Sequence, residues 1–237
     1  MASITDIDES RRRFLLYMLA TGGLTSLAAC AGRGLPGEMP PGRSMYQFVG
    51  DVKVNGTPVT ETTQITSGDA VATGERSYAI FVVDKDAFIV RSNTLLNLAP
   101  PPDPTDINPT RFTLPEGRVL SVLASRRTKI RTPSATIGIR GTGVYLEADP
   151  EQSYVCTCYG TADLTSNDDI NIAETIVSEH HDAPRYVTSE PGKPPRIDPA
   201  PFKNHDDQEL LLIETLVGRE TPYVVPQGLR RSRSSYM

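Results

Sequence analysis

The 237-residue chain contains no tryptophan, only three histidines and only three cysteines. It has no Cys-x-x-Cys-His motif, which argues against covalent haem attachment. It also lacks a glycine-rich phosphate loop and a nucleophile elbow, so no nucleotide-binding or hydrolase motif supports an enzymatic activity. Long helical patterns are scarce, whereas 18 glycines and 20 prolines separate short apolar runs. This combination predicts an all-β protein that is not an enzyme.

The charge of the chain bears on its partners. The net charge at pH 7 is −5, and the basic residues are scattered along the sequence. Proteins that bind nucleic acid present a concentrated basic surface to the phosphates. We therefore expect no nucleic acid among the partners.

The first thirty residues are typical of an export signal rather than of folded structure. Residues Ser10–Leu15 fit a twin-arginine signal, and an apolar stretch, Phe14–Ala29, follows. The stretch ends in Leu27–Cys30, which resembles a lipoprotein processing box whose cysteine, Cys30, becomes acylated. The alternative is an uncleaved N-terminal membrane anchor.

This signal predicts a protein of the cell envelope, held by lipid on the periplasmic face of a membrane. Ala31 occupies the position where an aspartate is associated with inner-membrane retention, so the outer membrane is favoured. Residues 31–45 are rich in proline and glycine and are expected to form a flexible tether. No later run approaches the about 18 apolar residues that a membrane-crossing helix requires.

Between residues 46 and 166, short apolar runs alternate with turn sequences such as Asn55-Gly56, which is a strong hairpin signal. Runs 79–83 and 119–123 are almost continuously apolar, as in strands that are buried on both faces. These patterns predict a single β-domain over residues 46–166, coiled like a β-solenoid or β-barrel. A two-sheet sandwich is the alternative.

A glycine-containing run interrupts the β pattern within residues 130–147. Gly141 and Gly143 flank the strand-forming Thr142. Glycine inside a strand pattern indicates a bulge, a bend or a close backbone approach. We expect this run to shape the fold rather than to carry chemistry.

Several short motifs occur in a fixed order along the predicted β-domain: Gly50–Val52, Val54–Gly56, Gly68-Asp69, Thr73-Gly74, Asn93–Leu95, Glu116–Val119, Thr132-Pro133 through Thr142, and Gly160. Together, from about Gln47 to Ser166, they resemble the FecR-type domain of bacterial cell-surface signalling proteins. Two features depart from that pattern, the turn at Asp84–Ala87 and a proline-rich insert at Ala99–Thr110. The resemblance implies a coiled β-domain that senses or scaffolds through an envelope protein partner.

Residues 167–237 are predicted to form a short α/β extension packed on the β-domain. Two strands are expected, at Ile170–Val177 and Arg185–Val187, followed by an irregular proline-rich stretch, Glu190–Phe202. One helix should then begin at Asp206, because Glu209 three residues later completes a capping box. Gly218 is suited to end it.

The residues with the clearest chemistry are two cysteines and the three histidines. Cys156 and Cys158 are two apart in a predicted strand, so their side chains share a face. His180, His181 and His205 all follow in the extension. Thiolates with nearby imidazoles are ligands for zinc, copper or iron. The sequence therefore predicts that these five residues bind one transition-metal ion.

Three other interpretations remain open. An oxidising compartment favours a disulfide between Cys156 and Cys158, although residues two apart on a strand have α-carbons about 6.5–7 Å apart, at the limit for a disulfide. Alternatively, both thiols are buried as small apolar groups, or His180 and His181 form an exposed polar turn. The sequence thus favours a non-enzymatic, lipid-anchored module that binds, senses or scaffolds, with a metal-binding envelope protein as the alternative.

Overall fold

A computed structural model describes residues 36–124 and 127–223. The predicted export signal, the predicted acylation site Cys30 and the first part of the expected tether lie outside the described residues. In the part of the chain that is described, no helix is long and apolar enough to cross a membrane.

The described residues form fourteen strands and one helix. The strands are β1 (Met45–Val49), β2 (Val52–Val54), β3 (Thr57–Pro58), β4 (Ala70–Thr73), β5 (Tyr78–Val83), β6 (Asp86–Val90), β7 (Thr94–Leu98), β8 (Thr110–Val122), β9 (Arg127–Arg131), β10 (Ala135–Ala148), β11 (Gln152–Ser166), β12 (Ala173–Ser178), β13 (Arg185–Thr188) and β14 (Arg196–Pro199), and the helix is α1 (Asp207–Leu216). The predicted all-β fold with one C-terminal helix is confirmed.

All fourteen strands belong to one sheet, whose main path is β14-β13-β11-β10-β9-β8-β7-β4-β2-β3. A branch adds β6, β5 and β1 beside β8, and β12 pairs with β11. Every pairing is antiparallel except that of β8 with β9. Over the described residues the sheet does not close into a barrel, because it branches and ends in the separate strands β14 and β3.

The glycine run lies where β10 and β11 deviate from regular pairing, as predicted. Their register shifts between Arg140 and Gly143 and again between Gly143 and Val144. Gly141 has a positive φ of 59°. A Cβ on Gly143 would lie 2.5 Å from a ring carbon of Tyr159, so the aromatic ring occupies the space that any larger residue would need.

The two faces of the sheet bury different sets of residues, because neighbouring side chains on a strand point in opposite directions. One face encloses the main hydrophobic core, which includes Phe81, Phe88 and Val144. On the opposite face, which we call the second face, residues paired in register form a buried apolar row across five strands: Ile80, Ile89, Leu120, Tyr145 and Cys156.

Helix α1 packs on the second face, against β6 and β8. Its predicted capping box is present: the Asp206 side chain accepts from the backbone of Gln208 and Glu209, and Glu209 reaches back to the Asp206 backbone. Leu210, Ile213 and other apolar side chains of the helix are buried. Local capping defines where the helix begins, and burial of its apolar side holds it on the sheet.

Two other segments differ from the sequence expectations. The stretch Glu190–Phe202 is not wholly irregular, because it contains β14, which extends the sheet beyond β13. Part of the expected tether lies against the domain: the Met39 N–H donates to the carbonyl of Leu216 at 2.9 Å, and Met45 already begins β1. Backbone hydrogen bonds to neighbouring segments account for both differences.

Candidate metal centre

The two cysteines lie on β11, and their side chains point to the second face of the sheet. Val144 pairs with Thr157 and Gly143 pairs with Tyr159, so Cys158 is an extra residue on β11 without a direct partner on β10. Such a β-bulge changes the direction in which a side chain points. Both cysteines are free thiols and both are buried.

His181 is brought to the cysteines by the connection between β12 and β13. It adopts a positive φ of 56°, which is unusual for a residue with a side chain. Its N–H donates to the carbonyl of Cys158 at 2.9 Å. This main-chain hydrogen bond holds the histidine directly beside the bulged cysteine.

His205 arrives from the other direction, one residue before the N-cap of α1. Its ring is stacked on Tyr145, with centroids 4.5 Å apart, and the residue is fully buried. The stacking places His205 over the same part of the sheet as the two cysteines.

The four side chains converge on one point. One ligand atom from each of Cys156, Cys158, His181 and His205 lies within 4.8 Å of the other three. Cys156 Sγ is 3.6 Å from His181 Nδ1, Cys158 Sγ is 3.4 Å from His205 Nε2, and the two ring nitrogens are 3.1 Å apart.

These separations match a tetrahedral zinc shell. With Zn–S of about 2.3 Å and Zn–N of about 2.0–2.1 Å, the edges of the tetrahedron are about 3.6 Å between sulfur and nitrogen and about 3.4 Å between the nitrogens. The three edges given above differ from these values by only about 0.3 Å or less. The residues fit a closed four-ligand site.

The outer hydrogen bonds of both rings direct His205 Nε2 and His181 Nδ1 towards the cysteines. His205 Nδ1 is 2.8 Å from the carbonyl of Lys203, which can only accept, so the proton of a neutral ring is on Nδ1 and the lone pair is on Nε2. His181 Nε2 is 3.1 Å from the carboxylate of Asp207, which assigns its lone pair to Nδ1. Metal-bound histidines in proteins are commonly oriented by such carbonyl and carboxylate partners.

His180, the fifth predicted ligand, does not join the other four. Its Nε2 lies 2.8 Å from Asp207 Oδ1, and its side chain is 46% exposed. Asp207 thus contacts both neighbouring histidines, and only His181 also faces the sulfurs. His180, His181 and Asp207 form a second group with ligand atoms within 4.8 Å of one another, which we interpret as the outer layer of the same centre.

The charges within the centre favour one thiolate. A hydrogen bond from Cys158 lowers the pKa of the Cys156 thiol to about 4, against the effect of burial and with further contributions from His181 and His205. Burial, and then the neighbouring Cys156, raise the pKa of Cys158 well above its usual value. Burial by itself would lower the pKa of His181, but hydrogen bonds and charge from Cys156 and Asp207 raise it overall. A positive charge on the His181 ring is therefore stabilised beside Cys156 and Asp207.

A polar network beside the centre anchors the segment that carries His205. Lys203 Nζ donates to Glu147 at 2.7 Å and lies 4.5 Å from the ring centroid of Tyr154. Asn204 also donates to Glu147, and so does the Tyr145 hydroxyl. Burial would raise the pKa of Glu147, but the hydrogen bonds from Asn204 and Lys203 lower it overall.

Sequence reasoning did not assign a role at the centre to Asp207 or Tyr145. Acidic residues at the start of a helix are commonly solvated or act as caps, and the position of Asp207 two residues after His205 was the available signal. Tyr145 carried no signal, because its contact with His205 joins residues sixty apart in the chain.

No family model and no curated protein matches this chain, so the FecR-type resemblance remains a prediction. Two crystal structures of a proposed anti-sigma factor from Parabacteroides distasonis ATCC 8503, at 2.50 Å and 1.65 Å resolution, are similar to it at 15% and 14% identity with a TM-score of 0.44 each. Each similarity covers 60% of this chain and 62% of the other.

Proposed function

We propose that this chain is a metal-binding protein that holds one Zn²⁺ ion at Cys156, Cys158, His181 and His205, hereafter the metal centre. The observation that carries the proposal is the convergence of two sulfurs and two imidazole nitrogens at tetrahedral spacing. Two soft and two borderline ligands in a closed tetrahedron are typical of structural zinc.

The orientation of the two rings supports a metal ion at this point. The outer hydrogen bonds of His205 Nδ1 and His181 Nε2 turn His205 Nε2 and His181 Nδ1 towards the two sulfurs. A Zn²⁺ ion would bind both of these nitrogens and two thiolates together.

The ligand set favours a structural role over catalysis. Catalytic zinc usually has three protein ligands and an open position for water or substrate, whereas four protein ligands close the shell. Here two ligands come from β11 and two from later segments. The ion would therefore cross-link the C-terminal part of the chain to the sheet.

Around this centre we propose a non-enzymatic binding, sensing or scaffolding module of the cell envelope. The twin-arginine pattern and the lipoprotein box ending at Cys30 support export and lipid anchoring on the periplasmic face of a membrane, with the outer membrane favoured. The order of FecR-type motifs supports an envelope protein as the partner.

The decisive experiment is elemental analysis of the full chain purified under anaerobic conditions, combined with thiol titration. We expect about one equivalent of zinc and two thiols that react only after chelation, because structural sites of this type bind tightly. Less than about 0.2 equivalents of any transition metal would refute the proposal, for the same reason. Two unreactive sulfurs that titrate only after reduction would instead identify a disulfide.

Ligand variants test which residues bind the ion. Structural zinc contributes about 10–16 kcal/mol in zinc-finger peptides, or roughly 3 kcal/mol for each of four ligands. Cys158→Ser and His205→Ala should therefore each weaken zinc binding at least about a hundredfold. His180→Ala is the matched control, since this exposed histidine contacts Asp207 but not the ligand sulfurs. An equal loss in the control would contradict the assignment.

A further inference from the structure

We infer that the second face of the sheet is a binding site for an acidic amphipathic helix, occupied in this structure by the protein's own C-terminal segment and controlled by the metal centre. We call residues 200–223, which contain α1, the lid. The control by metal rests on the proposed function, whereas the helix-binding property of the face stands on separate contacts.

The second face has the character of an interaction surface. Ile80, Ile89, Leu120 and Tyr145 form a continuous apolar row across β5, β6, β8 and β10, and each is at most 1% exposed. Among the described elements, α1 is the helix that packs on β6 and β8. Without α1, this row would be an exposed apolar patch, and such patches are typical of sites that bind other proteins.

The face also carries charge that requires an acidic partner. Arg91 follows β6 and points to the same side as Ile89, two residues before it. Its guanidinium donates to both carboxylate oxygens of Glu209 at 2.9 Å and to the carbonyl of Asn204 at 2.7 Å. If the lid left without replacement, the Arg91 charge would lose these partners, and uncompensated charges in such positions are strongly unfavourable.

The lid complements this surface in both charge and shape. Residues 206–216 contain four carboxylates and no lysine or arginine. Glu209 binds Arg91, and the buried apolar residues Leu210, Ile213 and Leu216 follow it at one, four and seven positions. This spacing lines one side of a helix. A partner helix with an acid followed by apolar residues at the same spacing would satisfy the same contacts.

The lid is suited to leave the face because its helix is short. Helix α1 has 10 residues, and isolated helices of fewer than about 12 residues are marginal in water. Its order therefore depends on docking. His205, immediately before the N-cap, is the ligand through which the metal centre joins the lid to Cys156 and Cys158 on the sheet.

Metal occupancy thus sets how strongly the lid competes with a partner in trans. A tethered segment competes at an effective concentration in about the millimolar range, and each added attachment point strengthens that competition. With metal bound, the face is closed to other helices. Without metal, the lid is held by its remaining polar and apolar contacts, and a matching helix gains access.

The test uses a fluorescent peptide with the sequence of residues 204–219, added to the full chain and followed by anisotropy. Zinc-loaded protein should bind it only weakly, whereas protein treated with chelator and reductant should bind it at least about tenfold more tightly. A peptide with lysine in place of Glu209 is the matched control and should fail to bind.

A second arm does not depend on metal. Ile213→Asp in the full chain places a charge at the buried side of α1 without altering a ligand, and should raise the affinity for the wild-type peptide about a hundredfold over unmodified zinc-loaded protein. Circular dichroism confirms that the sheet remains folded in both arms.

The outcomes separate the two proposals. Failure of the Ile213→Asp protein to bind the peptide overturns the helix-binding face. Binding by this variant, with no effect of chelation on unmodified protein that contains zinc, overturns the control by metal. Absence of zinc refutes the proposed function and the metal control together, while the variant still decides the property of the face.

Discussion

Replacement of Glu209 by glutamine tests how the lid is held. The Glu209 carboxylate is 1% exposed and lies 2.9 Å from the guanidinium of Arg91, whose side chain is 20% exposed. Glutamine preserves the size of the side chain and can still complete the capping box with Asp206, because the amide reaches back to the backbone in the same way. The substitution therefore removes the charge with little change in shape.

The expected loss follows from these contacts. Removal of one partner from a buried ion pair costs about 3–5 kcal/mol when the remaining charge has no compensation. Arg91 keeps partial contact with solvent and still donates to the Asn204 carbonyl at 2.7 Å. We therefore expect the free energy of unfolding to fall by about 2 kcal/mol, a factor of about 30 in the folded-to-unfolded ratio.

Urea unfolding of zinc-loaded protein measures this change. Because the chain has no tryptophan, far-UV circular dichroism is a better probe than intrinsic fluorescence. Glu214→Gln is the matched control. Burial raises the pKa of Glu214 despite its hydrogen bond to Arg219, so its charge is less stabilised and its removal should cost less.

A double-mutant cycle with Arg91→Met isolates the pair. In the Arg91→Met background, Glu209→Gln should cost less than about 0.5 kcal/mol, since no buried cation remains to be stranded. An equal cost in both backgrounds would show that Glu209 acts through the helix cap alone. A loss below about 0.5 kcal/mol in the wild type would refute the proposed anchoring of the lid.

Three further predictions follow from individual contacts. Asp207→Asn should weaken zinc binding about 10–100-fold in competition with a chromophoric chelator, because the orienting carboxylate of His181 is lost, and an unchanged affinity would exclude that role. Gly143→Ala should reduce the free energy of unfolding by about 1–3 kcal/mol by contact with the Tyr159 ring, and Tyr159→Leu should restore most of it if the steric reason is correct. The folded protein lowers the pKa of Glu147, so its contribution to stability is complete above the ordinary glutamate pKa of about 4.3 and is lost as the pH falls from there through the folded pKa. Urea midpoints of wild type and Glu147→Gln should accordingly differ at pH 7 and converge in acid.

Much of the local structure follows from neighbouring residues. Alternating apolar runs predicted the positions of most of the strands, and the Asp206–Glu209 capping box predicted the start of α1. Both signals act over a few residues. The spacing of Cys156 and Cys158 likewise placed both thiols on one side of a strand. These features depend on chain geometry and not on distant partners.

Pairing between strands determined features of the sheet that local sequence patterns do not specify. Strand β14 is polar and flanked by prolines, and it exists because β13 supplies its hydrogen-bond partners. The sheet branches around β8 instead of closing, which no local periodicity specifies. The register shift opposite Gly143 directs Cys158 towards the metal centre, and a register is a property of two strands together.

The sequence alone determined the side-chain types of the proposed metal centre: two thiols two residues apart and three imidazoles downstream. The tertiary structure distinguishes His181 from His180, since both rings reach Asp207 but only His181 also contacts Cys156 and hydrogen bonds to the main chain at Cys158. It also added Asp207 and placed His205 over Tyr145 through packing between segments far apart in the chain. Residue chemistry is local, but the convergence of ligand atoms depends on how the C-terminal segment folds back over the sheet.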